Sequence, residues 1–172
     1  MCTGAPGEDI KVPDQVDCLC KEACNTDGAD QEYIDINEEC SGNNKCCKPC
    51  SSTCGGNFTG PMGSFTSPNY PSNYCNNQDC FYNITVEDGE RVILNFTNRR
   101  FDAFIWSSDF VKVYNGEIAN PVKIFAFVAG PFSSPRIVEI SDNPSSNTVI
   151  VYFSSGETQT NPGFQVTYKI IW

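Results

Sequence analysis

The stretch Phe81-Tyr82-Asn83-Ile84-Thr85-Val86-Glu87-Asp88-Gly89-Glu90-Arg91-Val92-Ile93-Leu94-Asn95-Phe96-Thr97 decides the fold. Tyr82, Ile84 and Val86 alternate with Phe81, Asn83 and Thr85. After the turn at Glu87–Glu90, Val92, Leu94 and Phe96 alternate with Ile93, Asn95 and Thr97. A strand sends successive side chains to opposite faces, so this period puts one face of each strand on a core and the other in solvent. Two later runs repeat the pattern: Val149, Val151 and Phe153, then Phe164, Val166, Tyr168, Ile170 and Trp172. Short runs at roughly ten-residue spacing, separated by Gly, Pro, Asn and Ser from about residue 60 onward, predict a mostly β chain folded as an antiparallel β-sandwich.

Charge and composition narrow the function. The 172 residues hold 11 Lys and Arg against 21 Asp and Glu, a net charge of −10, and no His. Without an imidazole there is no Ser/His/Asp or Cys/His pair and no His-based zinc site. The acidic balance opposes nucleic acid and anionic membrane, which both bind mainly through Lys and Arg. No paired-carboxylate setting is identifiable, so the expectation is a protein that is not an enzyme. No stretch is long and apolar enough for a transmembrane helix. The start, Met1-Cys2-Thr3-Gly4, lacks the basic end and apolar stretch of a signal peptide, so the secreted reading takes the signal as removed from the numbering or the chain as a mature or recombinant form.

Cysteine placement sets the domain organisation. Eight of the 11 Cys lie in residues 1–50 and none follows Cys80. A stapled module therefore precedes one that builds its own core. The expected divisions are a flexible lead-in at 1–17, a disulfide knot at 18–50 whose one period-two stretch is Tyr33–Ile36, a short linker and entry to the second domain at 51–56, and the sandwich at 54–172. The cysteine density and three Asn-x-Thr acceptors, Asn57, Asn83 and Asn95, point to a secreted, extracellular glycoprotein, against a cytosolic thiol-rich or zinc-binding rival. Asn83 and Asn95 sit on the polar phase of their strands, where a glycan points outward.

The second module resembles a CUB domain. The matching residues are Cys54-Gly55-Gly56, Gly63-Ser64-Phe65-Thr66-Ser67-Pro68-Asn69-Tyr70-Pro71-Ser72-Asn73-Tyr74, Cys80, the alternation to Phe96, Asp109-Phe110-Val111-Lys112-Val113-Tyr114-Asn115-Gly116, and Gly163-Phe164 with Tyr168. The resemblance implies a jelly-roll-like antiparallel sandwich used outside cells for recognition, usually without catalysis. It implies a Cys54–Cys80 bridge. A second bridge typical of the family is replaced here by Trp106 and Ile124–Val128. Some CUB domains hold calcium, and the resemblance offers Tyr74, Asp102 and Asp109 as ligands, with Glu157 as a longer-reaching substitute for the fourth. The family's last acid is replaced by Gly156, which weakens a site needing six to eight oxygens. The other reading makes Asp102 and Asp109 solvated or turn-bonding loop acids.

Residues 18–50 resemble an arthropod clip domain of the kind on non-catalytic protease homologues, and in spacing a β-defensin. Both families imply pairing of Cys18 with Cys46, Cys20 with Cys40, and Cys24 with Cys47. Four Lys against 11 acids in residues 1–53 favour the clip-like reading over an antimicrobial one. The knot is then a protein-binding unit or a structural cap. Cys50 abuts the linker and Cys75 lies in the first CUB loop, which suggests a bridge clamping the modules. Cys2 is left over, either bridging a second chain or capped.

Arg99, Arg100 and Phe104 are candidate partner contacts in what reads as a loop between strands, with Phe101 and Trp106 equally suited to the core. The leading function is a non-catalytic interaction or adhesion protein binding extracellular proteins or itself, with no cofactor except calcium as a candidate. The rivals are a cofactor of an extracellular protease cascade in innate immunity and a defensin-like antimicrobial or venom effector.

Overall fold

The computed structural model describes residues 9–12, 15–21, 33–39, 45–50, 53–100, 109–116, 124–128, 136–140 and 147–172. The first of these form an antiparallel sheet. Strands β1 (Asp9–Val12), β2 (Gln15–Lys21), β3 (Tyr33–Glu39) and β4 (Lys45–Pro49) lie in the order β1-β2-β4-β3. Paired strands begin at Asp9, and β2, β3 and β4 carry Cys18, Cys20, Cys46 and Cys47 or pair with the strands that do. The pattern in β2 is visible once cysteine counts as a small apolar residue, because Val16, Cys18 and Cys20 then alternate with Gln15, Asp17, Leu19 and Lys21. The pairings expected for Cys18, Cys20, Cys24, Cys40 and Cys46, and the fate of Cys2, lie outside the described residues. Cys47 is buried and disulfide-bonded.

The second module is the expected two-sheet sandwich. Its strands are β5 (Gly55–Phe58), β6 (Met62–Thr66), β7 (Asp79–Thr85), β8 (Arg91–Arg100), β9 (Phe110–Asn115), β10 (Ile124–Val128), β11 (Arg136–Ile140), β12 (Thr148–Ser154) and β13 (Gly163–Ile171). One sheet runs β10-β9-β12-β7-β5 and the other β11-β8-β13-β6. The Glu87–Glu90 turn carries the chain from the first sheet to the second. The Glu90 N–H donates to the Glu87 carbonyl (3.1 Å), the Glu87 N–H donates to Glu90 Oε2 (2.6 Å), and Gly89 takes a φ of 85°. Tyr82, Ile84 and Val86 thereby join one core with Val92, Leu94 and Phe96 of the other sheet. Trp172 departs from the sequence reading: the inward phase of β13 ends in half-buried Ile170, and Trp172, beyond the strand, is 80% exposed.

Among the described residues of the sandwich all pairings are antiparallel except β5 with β7, which run parallel with Gly55 opposite Phe81. The cause is covalent. Cys54 immediately precedes β5 and is bonded to Cys80 near the start of β7, so the two strands leave the bridge in the same direction. Cys50 is bonded to Cys75, and each bridge closes a loop whose length is worth about 3–4 kcal/mol in unfolded-chain entropy.

Phe164 is the hub of the core. Fully buried, it has ring centroids of Phe153 at 5.5 Å, Tyr82 at 5.9 Å, Phe96 at 6.1 Å and Phe65 at 6.5 Å. Before it, Gly163 takes a φ of 79°, and a Cβ there would lie 2.0 Å from Ser67 Oγ. That position has room only for glycine. Ser67 Oγ accepts from the Phe164 N–H at 3.0 Å, which seats the ring.

Burial pushes the Tyr82 phenol well above its ordinary range, while its hydroxyl donates to the Thr66 carbonyl at 2.8 Å. The neutral form is thus favoured in the folded state. This contribution is intact below pH 10 and is lost as pH rises above that, because the unfolded phenol ionises first, with a slope of at most about 1.4 kcal/mol per pH unit. The stability difference between the parent and Tyr82→Phe should therefore shift against the parent above about pH 10. Denaturant midpoints measured on both chains from pH 8 to about 11 check this; parallel profiles would refute it.

Candidate functional site

One end of the sandwich gathers the residues that the sequence singles out. The loop between β6 and β7 brings in Tyr74, the residue before β9 is Asp109, and the residues after β12 are Ser155, Gly156 and Glu157. Asp109 is only 3% exposed and Tyr74 is fully buried. The Tyr74 hydroxyl donates to Asp109 Oδ2, and the Gly156 N–H donates to Asp109 Oδ1 at 2.7 Å. Each carboxylate oxygen thus has a protein donor, the arrangement a buried charge requires.

Around this centre the loops are stapled to one another. The Tyr74 N–H donates to the Asn161 carbonyl (3.0 Å) and the Asn77 N–H to the Gly156 carbonyl (2.8 Å). Ser155 Oγ donates to the Cys75 carbonyl (2.7 Å) and accepts from the Gln78 N–H (2.9 Å). The Tyr74 ring packs edge-on against Phe153 at 5.0 Å. The Cys50–Cys75 bridge then ties this loop to the segment preceding β5. Sequence reasoning reached Tyr74 and Asp109 but missed Ser155, whose hydroxyl bonds the main-chain groups of Cys75 and Gln78, which leave no compositional trace.

Of the four proposed calcium ligands, Tyr74 and Asp109 meet, Glu157 is exposed beside Gly156, and Asp102 lies outside the described residues. Among the described residues no three His, Cys, Asp or Glu side chains gather to hold a metal ion. Of the proposed ligand side chains, Tyr74 and Asp109 bring together one hydroxyl and one carboxylate, and calcium takes six to eight oxygens in all, backbone carbonyls and water included.

The candidate contact segment is corrected in part. Arg99 and Arg100 belong to β8, opposite Phe164 and Gly163 of β13, and so lie in a strand rather than a loop. Phe104 and Trp106 lie outside the described residues. Among the glycan acceptors, Asn57 and Asn83 are Cα partners on β5 and β7, and Asn83 Nδ2 donates to Asn57 Oδ1 at 3.0 Å on the exposed face. Asn95 stands on β8 between β11 and β13, with its side-chain oxygen buried.

The family model that matches this chain is that of the CUB domain, over residues 54–168. Cubilin from the dog, Canis lupus familiaris, is 36% identical over 119 residues, which are 66% of this chain and 3% of cubilin. The chain thus spans a small fraction of that relative's length. The structure of the CUB1-EGF-CUB2 domains of rat MASP-1 superposes with a TM-score of 0.54 at 21% identity, covering 67% of this chain and 42% of that one. The calcium-bound MASP-1 CUB2 domain gives 0.52 at 24% identity, covering 68% of this chain and 99% of that one. The two-sheet architecture and the family-model match agree over the same residues, and the chain belongs to the CUB family.

Proposed function

We propose that this chain is a secreted, glycosylated, non-catalytic recognition protein that binds other extracellular proteins through the loop end of its CUB sandwich. The observation that carries this reading is the clamp at that end. Asp109 holds Tyr74 and Gly156, Ser155 holds the 75–78 segment, and Cys50–Cys75 adds a covalent tie, while Glu157, Thr158 and Gln159 face solvent. Loops already fixed in one arrangement lose less freedom on binding, so affinity can come from few contacts. Disulfides at Cys50–Cys75 and Cys54–Cys80 suit an oxidising extracellular setting. With a net charge of −10, like surfaces repel, which favours a different protein over a second copy as partner. In this reading the N-terminal sheet is a clip-like second protein-binding unit, and Asp109 is a structural acceptor rather than a metal ligand.

Cross-linking the secreted chain in its native extracellular fluid, followed by reconstitution with the purified cross-linked protein, tests the reading. The expected result is a saturable complex weakened about tenfold or more by charge reversal at Glu157, Glu157→Lys, with no loss of thermal stability. A complex indifferent to Glu157→Lys and to substitutions at Thr158 and Gln159 would place recognition elsewhere. Turnover of a substrate by the purified chain would overturn the non-catalytic reading.

A further inference from the structure

The outer face of the five-stranded sheet carries a row of rings. Phe81 on β7 and Tyr152 on β12 are Cα partners whose rings stack at 4.6 Å with only 5° between planes. Tyr152 meets Phe110 of β9 edge-on at 5.5 Å, and Lys112 Nζ sits 4.2 Å from the Phe110 ring centroid. The Tyr152 hydroxyl donates to Asp79 Oδ1. Phe81 ends the row. It is 37% exposed, and its Cα partner on the other side is Gly55, which has no side chain to cover it.

Two residues further along β7, on the same face, stands Asn83, with exposed Thr85 completing the acceptor sequence Asn83-Ile84-Thr85. Same-face neighbours on a strand are about 6.7 Å apart, a distance one pyranose ring spans. The Asn83 amide nitrogen has two hydrogens, and one is donated to Asn57 Oδ1. A sugar in place of the other leaves that bond intact. On glycosylation the N–C bond to the anomeric carbon forms, the anomeric carbon–phosphate bond of a lipid diphosphate donor breaks, and the amide proton departs with the diphosphate. The other two acceptors differ at the corresponding place, since Gly55 precedes Asn57 by two residues and Ile93 precedes Asn95. Only Asn83 has an aromatic ring there.

Resting on the glycosylated reading above, we propose that the first N-acetylglucosamine on Asn83 lies against the half-exposed Phe81 ring, so that this glycan is part of the folded surface. A β-linked N-acetylglucosamine presents axial C–H groups on one side of its ring. These meet the negative face of an aromatic and remove apolar surface from water.

The test uses the chain secreted by cells that make N-glycans. Mass analysis of the peptide containing Asn83 gives occupancy, and an endoglycosidase then trims the glycans to one sugar each. Against Asn83→Gln, the single sugar should raise the melting temperature by about 2–4 °C in the parent and by less than about 1 °C in the Phe81→Thr background. In the parent, NMR should show upfield ring-current shifts on the Asn83-linked sugar protons and none on sugars at Asn57 or Asn95. Those shifts stand as the readout if Phe81→Thr fails to fold. Equal temperature increments in both backgrounds, or an occupied Asn83 without ring-current shifts, would overturn the stacking while leaving glycosylation intact. An unoccupied Asn83 would remove the glycosylation reading at this site and the stacking with it.

Discussion

Asp109→Ala should lower the unfolding free energy of the sandwich by about 3–5 kcal/mol, because it strips the acceptor from two buried donors at once. The Tyr74 hydroxyl and the Gly156 amide both end on this carboxylate, and Tyr74 and Gly156 are themselves buried. Asp109→Asn keeps one oxygen acceptor and should lose less. Tyr74→Phe removes one donor, and the Asp109→Ala/Tyr74→Phe double variant should be less damaging than the sum of the two, since the orphaned hydroxyl is gone. Denaturant unfolding with disulfides intact measures all four. The same series separates the structural role from the metal role. Calcium at about 1 mM, the upper range for weak extracellular sites, should leave the parent's midpoint where chelator leaves it. A calcium-dependent rise that vanishes in Asp109→Asn would make Asp109 a ligand after all.

The second large effect is expected at the opposite chemical extreme. Phe164→Ala should cost about 3–5 kcal/mol, the range for emptying a large aromatic site. Phe164 is fully buried among Phe65, Tyr82, Phe96 and Phe153, which come from strands of both sheets. Collapse around the vacancy would have to move both sheets, so little relief is available. Phe164→Leu fills most of the space and should cost less than about 2 kcal/mol. A loss below about 1.5 kcal/mol in the alanine variant, measured by the same unfolding experiment with an unchanged slope, would show that the hub relaxes. Against the 5–15 kcal/mol that holds a typical domain, either Asp109→Ala or Phe164→Ala should reduce the amount of folded chain recovered on expression.

The strands that were readable in the sequence are those with one wet and one dry face. Tyr82, Ile84 and Val86, then Val92, Leu94 and Phe96, declare their sidedness by alternation, and all six are in the core. Alternation reports sidedness but not partnership, so the assignment of β7 and β8 to different sheets was beyond it. β5 was invisible because Gly55-Gly56-Asn57-Phe58 has a single large apolar residue, and its position depends on a bond to Cys80 rather than on pattern. β11 was hidden by Ile137, an apolar residue on the solvent side at 68% exposure, which breaks the alternation of Val138 and Ile140. At the loop end, Tyr74 and Asp109 came from family resemblance, but the donor role of Gly156 did not. A glycine amide has no side chain to announce it, and the position first suggested a missing ligand.

The parallel strand β5 has one more consequence. It is the outermost strand of its sheet, and it shields the backbone donors and acceptors along one side of β7. A strand whose side is left bare invites a foreign strand to dock, and chains then join without limit. The Cys54–Cys80 bond pins the cover in place at its first residue. Beyond its worth in chain entropy, that sulfur link makes the sheet end on the four-residue β5 rather than on the seven-residue β7, and a shorter edge offers a foreign strand less to pair with.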